Sequence, residues 1–386
     1  MLIIAYPFFN LIFMKKLIYL SFICLIVSCS GGGSSDNGDY TPSGDDVDRR
    51  LILDNIVNNI IIPSHEKLFS KIDQLGQAAT IFSSNQNQTN LDELRLKYFD
   101  AYKSWQYVEM FCGSVDAPLG YAGEMLYQQK SNGYPTNTTR INDNVNSLDY
   151  DLDNNNNNNP AQGFPAIDFL IYGLGDSDLD IIEAFVNEEN YGVYLVDLTQ
   201  HLRDNTQQVL NYWIENGPQF ASDAGNSATS SFNILFNSFV YYYEKGFRAN
   251  KFGIPAGRWP GGINPEKVEA YYSQTNSKDL ALEAMTAIKG FFVGKEFEGS
   301  LEGPSFKTYL EEINEDDLSS EIISIFETAS NSINSLPDNF STYIVSDNGI
   351  SMLEVYNDIQ LAVVKLKTEM ASKINVSIEY TDADGD

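Results

Sequence analysis

Helical bundles without a sheet are the architecture this chain leads one to expect. Three features point there. Apolar residues recur at heptad-like steps through the long segments. Alternation of the kind a strand needs is confined to residues 376–380. Polar or Gly/Pro-rich stretches separate the periodic runs. With 386 residues there is material for two domains and a large core.

Taken in order, Leu53, Ile56, Val57 and Ile60 predict a first helix, and Pro63 marks a kink or the join to the next. Leu68, Ile72, Leu75, Ala79 and Phe82 then define one long amphipathic helix. Asn90 with Glu93 resembles a capping arrangement, opening a helix whose stripe is Leu94, Tyr98, Ala101, Trp105 and Val108. These two helices form an antiparallel pair. Residues 113–162 read as loop with a short helix at 121–129, and the asparagine run 154–159 as a disordered tip that contributes nothing to a core. The helix at 163–173 is expected to start with Pro165 in its first position and to stop at Gly173 and Gly175. A helix over 190–216 completes a first bundle, residues 49–221.

The Gly/Asn/Ser patch at 222–229 is the expected boundary, and residues 222–386 form a second helical bundle. Phe232, Leu235, Phe236, Phe239, Tyr243 and Phe247 carry its first helix, and a Gly/Pro-rich loop with Arg258 and Trp259 follows. Ser277 is placed as the cap of a helix reaching Phe292, with further helices at 306–312, 317–335 and 351–374. The acidic end 382–386 resembles only the beginning of a calcium loop.

The N-terminus reads as a targeting segment. Met14, Lys15 and Lys16 precede an apolar core from Leu17 to Val27, which places the true start at Met14. A single membrane helix over 2–27 would carry both lysines near its centre, where charge is costly. Ile26-Val27-Ser28-Cys29 has the form of a lipoprotein signal-peptidase site, so residues 1–29 are expected to be a signal segment, with Cys29 acylated. At about 0.8 kcal/mol per buried methylene, several acyl chains would fix the protein to a bilayer. Residues 30–48 then serve as a flexible tether. The expected location is the bacterial cell envelope, lipid-anchored at the outer membrane, with the membrane itself as one partner. Of the three cysteines only Cys112 remains for the mature domain, so packing and not a disulfide must hold the fold.

A formal net charge of −29 leaves no basic surface for phosphates and excludes nucleic acid as a partner. Phosphate-loop and nucleophile-elbow motifs are absent from the sequence.

The stretch Gly163-Phe164-Pro165-Ala166-Ile167-Asp168 carries a family resemblance. The imelysin family has Gly-x-His-x-x-Glu at the start of such a helix, then an aliphatic and aromatic run and Gly. This chain resembles that motif with Pro165 in place of His and Asp168 in place of Glu. Residues 61–69, 101–105, 109–111, 251–257, 268–272 and 378–386 also resemble family segments, in the same order. The resemblance implies two helical-bundle domains with a site in a cleft at their interface. Family members are classed as candidate metallopeptidases, and related domains occur in bacterial iron uptake.

A His and a Glu one turn apart make a sound ligand pair, but proline supplies no ligand. His65 and His201 are the only imidazoles, and neither stands in a zinc-peptidase spacing. Asp168 is therefore either a divalent-cation contact or a carboxylate favoured by the first turn of its helix. Glu109 lies off the apolar stripe of its helix and is either solvated or turned into a cleft, beside Trp105. Arg248, Lys251 and Arg258 pair at the surface, pair with Asp168 or Glu109, or hold an anionic ligand. Tyr241, Tyr242, Tyr243 and Phe247 read as core. The function expected is a non-hydrolytic lipoprotein that binds a small ligand or an iron-related partner. The alternatives are a metallopeptidase with an altered site and a structural surface lipoprotein.

Overall fold

The computed structural model describes residues 47–112, 122–123 and 125–379. The expected signal segment with Cys29, the tether up to residue 46, the acidic tail and the start of the 121–129 helix lie outside those residues. The last two tether residues are ordered parts of the fold: Val47 is buried, and the Asp48 side chain accepts the N–H of Arg50 at 3.1 Å. Among the described residues the structure is helical, with one isolated bridge between Lys295 and Glu302 and no strand, so 376–379 is not one. No described helix is long and apolar enough to cross a membrane.

The first set of helices is α1 (Arg49–Ile56), α2 (Ile62–Ser84), α3 (Gln88–Trp105), α4 (Tyr127–Asn132), α5 (Thr138–Ser147), α6 (Gly163–Tyr172), α7 (Asp178–Asn187) and α8 (Asn190–Ser222). Its centre is α2, which packs on both α3 and α8. The heptad residues Leu68, Ile72, Leu75, Ala79 and Phe82 are all fully buried there. Each side chain so buried contributes roughly 1.5–3 kcal/mol for the large residues.

Pro63 does not break the chain of helices. A π turn at Val57–Ile61 connects α1 to α2, and Pro63 sits in the first turn of α2. Proline cannot give an N–H to the carbonyl four residues back. That carbonyl, of Asn59, instead accepts the N–H of Phe297 at 2.8 Å.

The second set begins with α9 (Ser231–Tyr241), which continues as a π-helix over Tyr242–Gly253. It goes on through α10 (Ser277–Val293), α11 (Phe306–Glu312), α12 (Asp316–Ser335), α13 (Phe340–Ser346) and α14 (Ile350–Val364). A π segment at Lys365–Met370 leads into the last short helix, α15 (Ala371–Lys373). Here α14 packs on both α12 and the long π-helix. One apolar core runs through both sets, from Val47 to Val376.

Several local expectations change. The cap of α3 is Asn87, whose side chain accepts the Asn90 N–H at 3.0 Å. Ser277 does not cap α10; its hydroxyl donates to the Glu269 carbonyl at 2.7 Å. The 113–162 region contains α4, α5 and a 3-10 helix at Asn156–Ala161. The asparagine run is not an idle tip. Asn158 is buried, accepts from Asn144 at 3.2 Å and donates to the Asp151 carbonyl at 2.8 Å. An amide can be buried when it both donates and accepts, and a count of polar residues misses that.

Arg49 ties the first helix to the end of the fold. It is buried and donates to the carbonyls of Ile374 at 2.7 Å and Gly225 at 3.1 Å, and to the Tyr309 hydroxyl at 3.2 Å. Its guanidinium lies 4.8 Å from the Phe232 ring centre. Arg49→Met is expected to destabilise the protein by about 2–4 kcal/mol, because charge-assisted bonds are lost and their acceptors stay buried. Urea denaturation checks this, and a change under about 0.5 kcal/mol would show that the anchor carries nothing.

Candidate functional site

The site is assembled around the start of α6. Gly163 has φ 71°, and a Cβ there would run into the carbonyl oxygens of Lys130 and Ser131 at the end of α4. Glycine is thus required for α6 to start against α4. The helix begins two residues earlier than the sequence indicates, so Pro165 is its third residue and Asp168 lies beyond the first turn. The dipole explanation for Asp168 therefore fails. Its carboxylate reaches across to another segment, where Oδ2 accepts the backbone N–H of Tyr272 at 2.8 Å and of Ser273 at 3.3 Å. Ala270, at φ 56°, turns that backbone.

Among the described residues, neither the other oxygen, Oδ1, nor the Tyr98 hydroxyl has a partner at ordinary hydrogen-bond geometry, although both are buried and each influences the other's titration. The two groups are close enough for the Asp168 charge to add to burial in raising the Tyr98 phenol well above its ordinary range. Burial, opposed by the two backbone N–H groups, raises the Asp168 carboxyl to about 6. Beside Pro165 and Asp168 is a cavity of about 210 Å³, walled by Tyr134, Thr136, Glu266, Tyr271 and Tyr272.

Next to it lies a buried charged network. The Lys251 ammonium donates to Glu269 Oε2 at 2.5 Å and to Gln106 Oε1 at 2.8 Å, and lies 3.8 Å from Glu109 Oε2. Asn132 donates to Glu269 Oε1 at 2.8 Å and to Glu109 Oε1 at 3.2 Å, and its own oxygen accepts from Tyr102 at 2.5 Å. Lys251, Glu269 and Glu109 are 3%, 3% and 5% exposed, so surface pairing and the solvated reading of Glu109 are both overturned. Burial, the largest influence, raises the Glu109 carboxyl; Lys251 opposes this and Glu269 adds to it. Arg248 is also buried, 3.5 Å from Glu244. Arg258 is exposed and joins neither Asp168 nor Glu109; its guanidinium is 5.8 Å from the Tyr356 ring centre. Trp105 is fully buried against Tyr127 and Phe164. Tyr242, Tyr243 and Phe247 are core, while Tyr241 is only partly buried and lines a cavity with Tyr242.

Sequence reasoning missed Glu269, Asn132, Gln106 and Tyr98 as members of this site. Glu269 lay in a segment already singled out, flanked by Val268 and Ala270, and a carboxylate between buried apolar neighbours was the available signal. The other three are ordinary polar residues whose convergence needs the fold.

Neither histidine approaches Asp168 by any contact in the structure. His65 is fully buried, with Nδ1 2.7 Å from the Ile61 carbonyl, and burial lowers its pKa to about 4. His201 is 3.6 Å from Asp153 and hydrogen-bonded to Asn205 at 2.9 Å. Among the described residues no group of three or more His, Cys, Asp or Glu is arranged to hold a metal ion. A zinc site of the peptidase type does not fit here: position 165 has no donor atom, and one Asp168 oxygen is taken by two N–H groups.

The sequence profile of the family described as imelysin, peptidase group M75, matches residues 61–371. The chain belongs to the imelysin family. The solved structure of an imelysin-like protein from Psychrobacter arcticum superposes with a TM-score of 0.66 at 15% identity, covering 87% of this chain and 99% of that one. A candidate iron-regulated protein A precursor from Parabacteroides distasonis gives 0.66 at 14% identity, covering 86% and 97%. At such identities the likeness concerns the fold. No curated protein matches significantly.

Two measurements follow for this imelysin-family site. Lys251→Met removes the only cation touching Glu269 and Glu109 among the described residues, and is expected to cost about 3–5 kcal/mol in urea denaturation. The second concerns pH. Asp168, raised from 3.8 to about 6, binds its proton more tightly when folded, so its contribution to stability is full below pH 3.8 and is lost as pH rises through 6. His65, lowered from 6.5 to about 4, acts oppositely: its contribution is full above pH 6.5 and is lost as pH falls through 4. Each change is on the order of 3 kcal/mol, so the two nearly cancel. Asp168→Asn leaves the histidine unopposed. That variant is expected to lose about 2 kcal/mol more than the parent on going from pH 6.5 to pH 4.

Proposed function

We propose that this imelysin-family protein binds a small ligand beside Pro165 and Asp168 without hydrolysing it. The observation that carries this reading is the state of Asp168. One oxygen is committed to the backbone of Tyr272 and Ser273, the other is buried without a hydrogen-bond partner among the described residues, and Asp168 lines a 210 Å³ cavity. A small molecule that donates a hydrogen bond to Asp168 would satisfy an oxygen that is otherwise costly to leave buried. The cavity is below the ~300–1,000 Å³ of sites for drug-sized ligands, so the ligand has few heavy atoms.

The setting of that binding is nutrient acquisition, with iron uptake the leading case. Support comes from the fold shared with the candidate iron-regulated precursor of Parabacteroides distasonis. The basic and apolar N-terminal segment ending at Cys29 supports a lipid anchor in the bacterial cell envelope. The second reading is a metallopeptidase with an altered site, favoured by the family to which the chain belongs and by the unpartnered Oδ1 of Asp168.

Elemental analysis of the mature protein after dialysis against zinc separates these readings. The binding role predicts no retained stoichiometric zinc in the parent chain, and a gain of zinc affinity in Pro165→His with Asp168→Glu, which restores two donors on one helical face. Stoichiometric zinc in the parent that is lost in Asp168→Asn would overturn the binding reading in favour of the enzyme.

A further inference from the structure

A second cavity, of about 360 Å³, opens on the outer side of the π-helix that carries Lys251. Its lining includes Lys245, Asn250, Trp259, Pro260, Asn264 and Lys267, and among the described residues no carboxylate. In a chain with 53 acidic and 24 basic residues, most lysines of the described structure have an acidic partner within 4 Å. Lys245 and Lys267 have none among the described residues, although both are half-buried. The Lys245 ammonium lies 5.6 Å from the centre of the Tyr241 ring. Glu266, next to Lys267 in sequence, lines the Asp168 cavity instead. The Asn250 side-chain amide has no hydrogen bond among the described residues.

The backbone explains the convergence. In an α-helix, residues five apart point about 140° from each other. The i→i+5 ladder of a π-helix brings them together, so Lys245 and Asn250 share one face. The ladder runs on past the helix end, with Ile254 N–H to the Ala249 carbonyl at 2.8 Å and Arg258 N–H to Gly253 at 2.9 Å. The opposite wall is a tight loop. Gly257, at φ 76°, lies so close to Gly262 that a Cβ would come within 2.6 Å of its carbonyl carbon, and Asn264 N–H closes the loop on Pro255 at 2.8 Å. Trp259 is held at its tip, partly buried, with its ring 6.1 Å from that of Tyr356 and edge-on to it.

We infer that this cavity is a binding site for a small anion carried on a ring, an aromatic acid or a sugar acid, with Lys245 and Lys267 holding the anion and Trp259 facing the ring. Two ammonium groups without carboxylates are the complement of an anionic group, and an indole face is the complement of a ring. The volume falls within the usual range for such ligands, unlike the smaller Asp168 cavity. The site is separate from the one beside Asp168, and each stands or falls without the other.

Tryptophan fluorescence tests it directly. Trp105 and Trp213 are 0% and 1% exposed, which leaves Trp259 as the one indole a ligand can touch. The full chain would be titrated with benzoate and glucuronate, and with the neutral counterparts benzyl alcohol and glucose, with calorimetry in parallel. At least one anion is expected to give a saturable change, and which one does so distinguishes aromatic from sugar acids. Its neutral counterpart is expected to bind at least about tenfold more weakly. Lys245→Gln with Lys267→Gln should weaken the anion at least about tenfold with the circular dichroism unchanged. Trp259→Phe should abolish the optical signal while calorimetric binding persists. Failure of both anions to bind at ~10 mM, equal binding of the neutral counterpart, or indifference to the double lysine substitution would overturn the inference.

Discussion

The ammonium of Lys251 is the contact on which the candidate site depends. It stands on the π-helix, yet its partners come from the turn after α3 and from the segment before α10, and Asn132 at the end of α4 closes the ring through both carboxylates. A lysine taken out of water is tolerable only when its charge is met at short range and its remaining donors are used. The geometry here meets both conditions. It also fixes the backbone of 269–273, and so places the Tyr272 and Ser273 N–H groups where Asp168 can accept them. The carboxylate of α6 is thereby held by the second set of helices.

This arrangement changes what the altered motif means. Gly163 keeps its steric duty, since the α4 carbonyls leave no room for a side chain. Pro165 falls in the first turn, where its missing N–H would have had no partner within the helix. What changes is the donor chemistry. An imidazole at 165 would offer a lone pair one turn from residue 168, whereas proline adds only apolar wall to the cavity. A shorter acid at 168 then engages backbone N–H groups with one oxygen. The frame of the motif is intact and its capacity for a transition metal is reduced, which is why fold and function diverge at this point.

Much of the fold was legible because it rests on periodicity. The stripe Leu68, Ile72, Leu75, Ala79 and Phe82 is fully buried, and α11 has the predicted limits. Legibility fell where one residue does something other than alternate between water and core. Asn158 is buried through its amide, and Glu109 and Arg248 are buried through partners far away in sequence or along a π-helix. The motif at α6 identified the place of the site, but Glu269, Asn132 and Gln106 carry no local mark. Their roles exist only once α3, α4 and the 265–277 segment are brought together.

The π-helix at Tyr242–Gly253 is the feature that lets one element serve two environments. An α-helix through the same residues would rotate each successive side chain by about 100°, and Lys245 and Asn250 would diverge. The wider ladder aligns them outward while Lys251 turns into the core. Such widening is unfavourable unless its surroundings hold it, and here they do: Lys251 is tied to Glu269, and Arg248 lies 4.6 Å from the Tyr356 ring centre. The same Tyr356 ring meets Trp259 edge-on. Restoring α-helical winding would therefore have to move Lys251 away from Glu269 and Arg248 away from the Tyr356 ring that Trp259 meets, so the two faces of this helix are mechanically coupled.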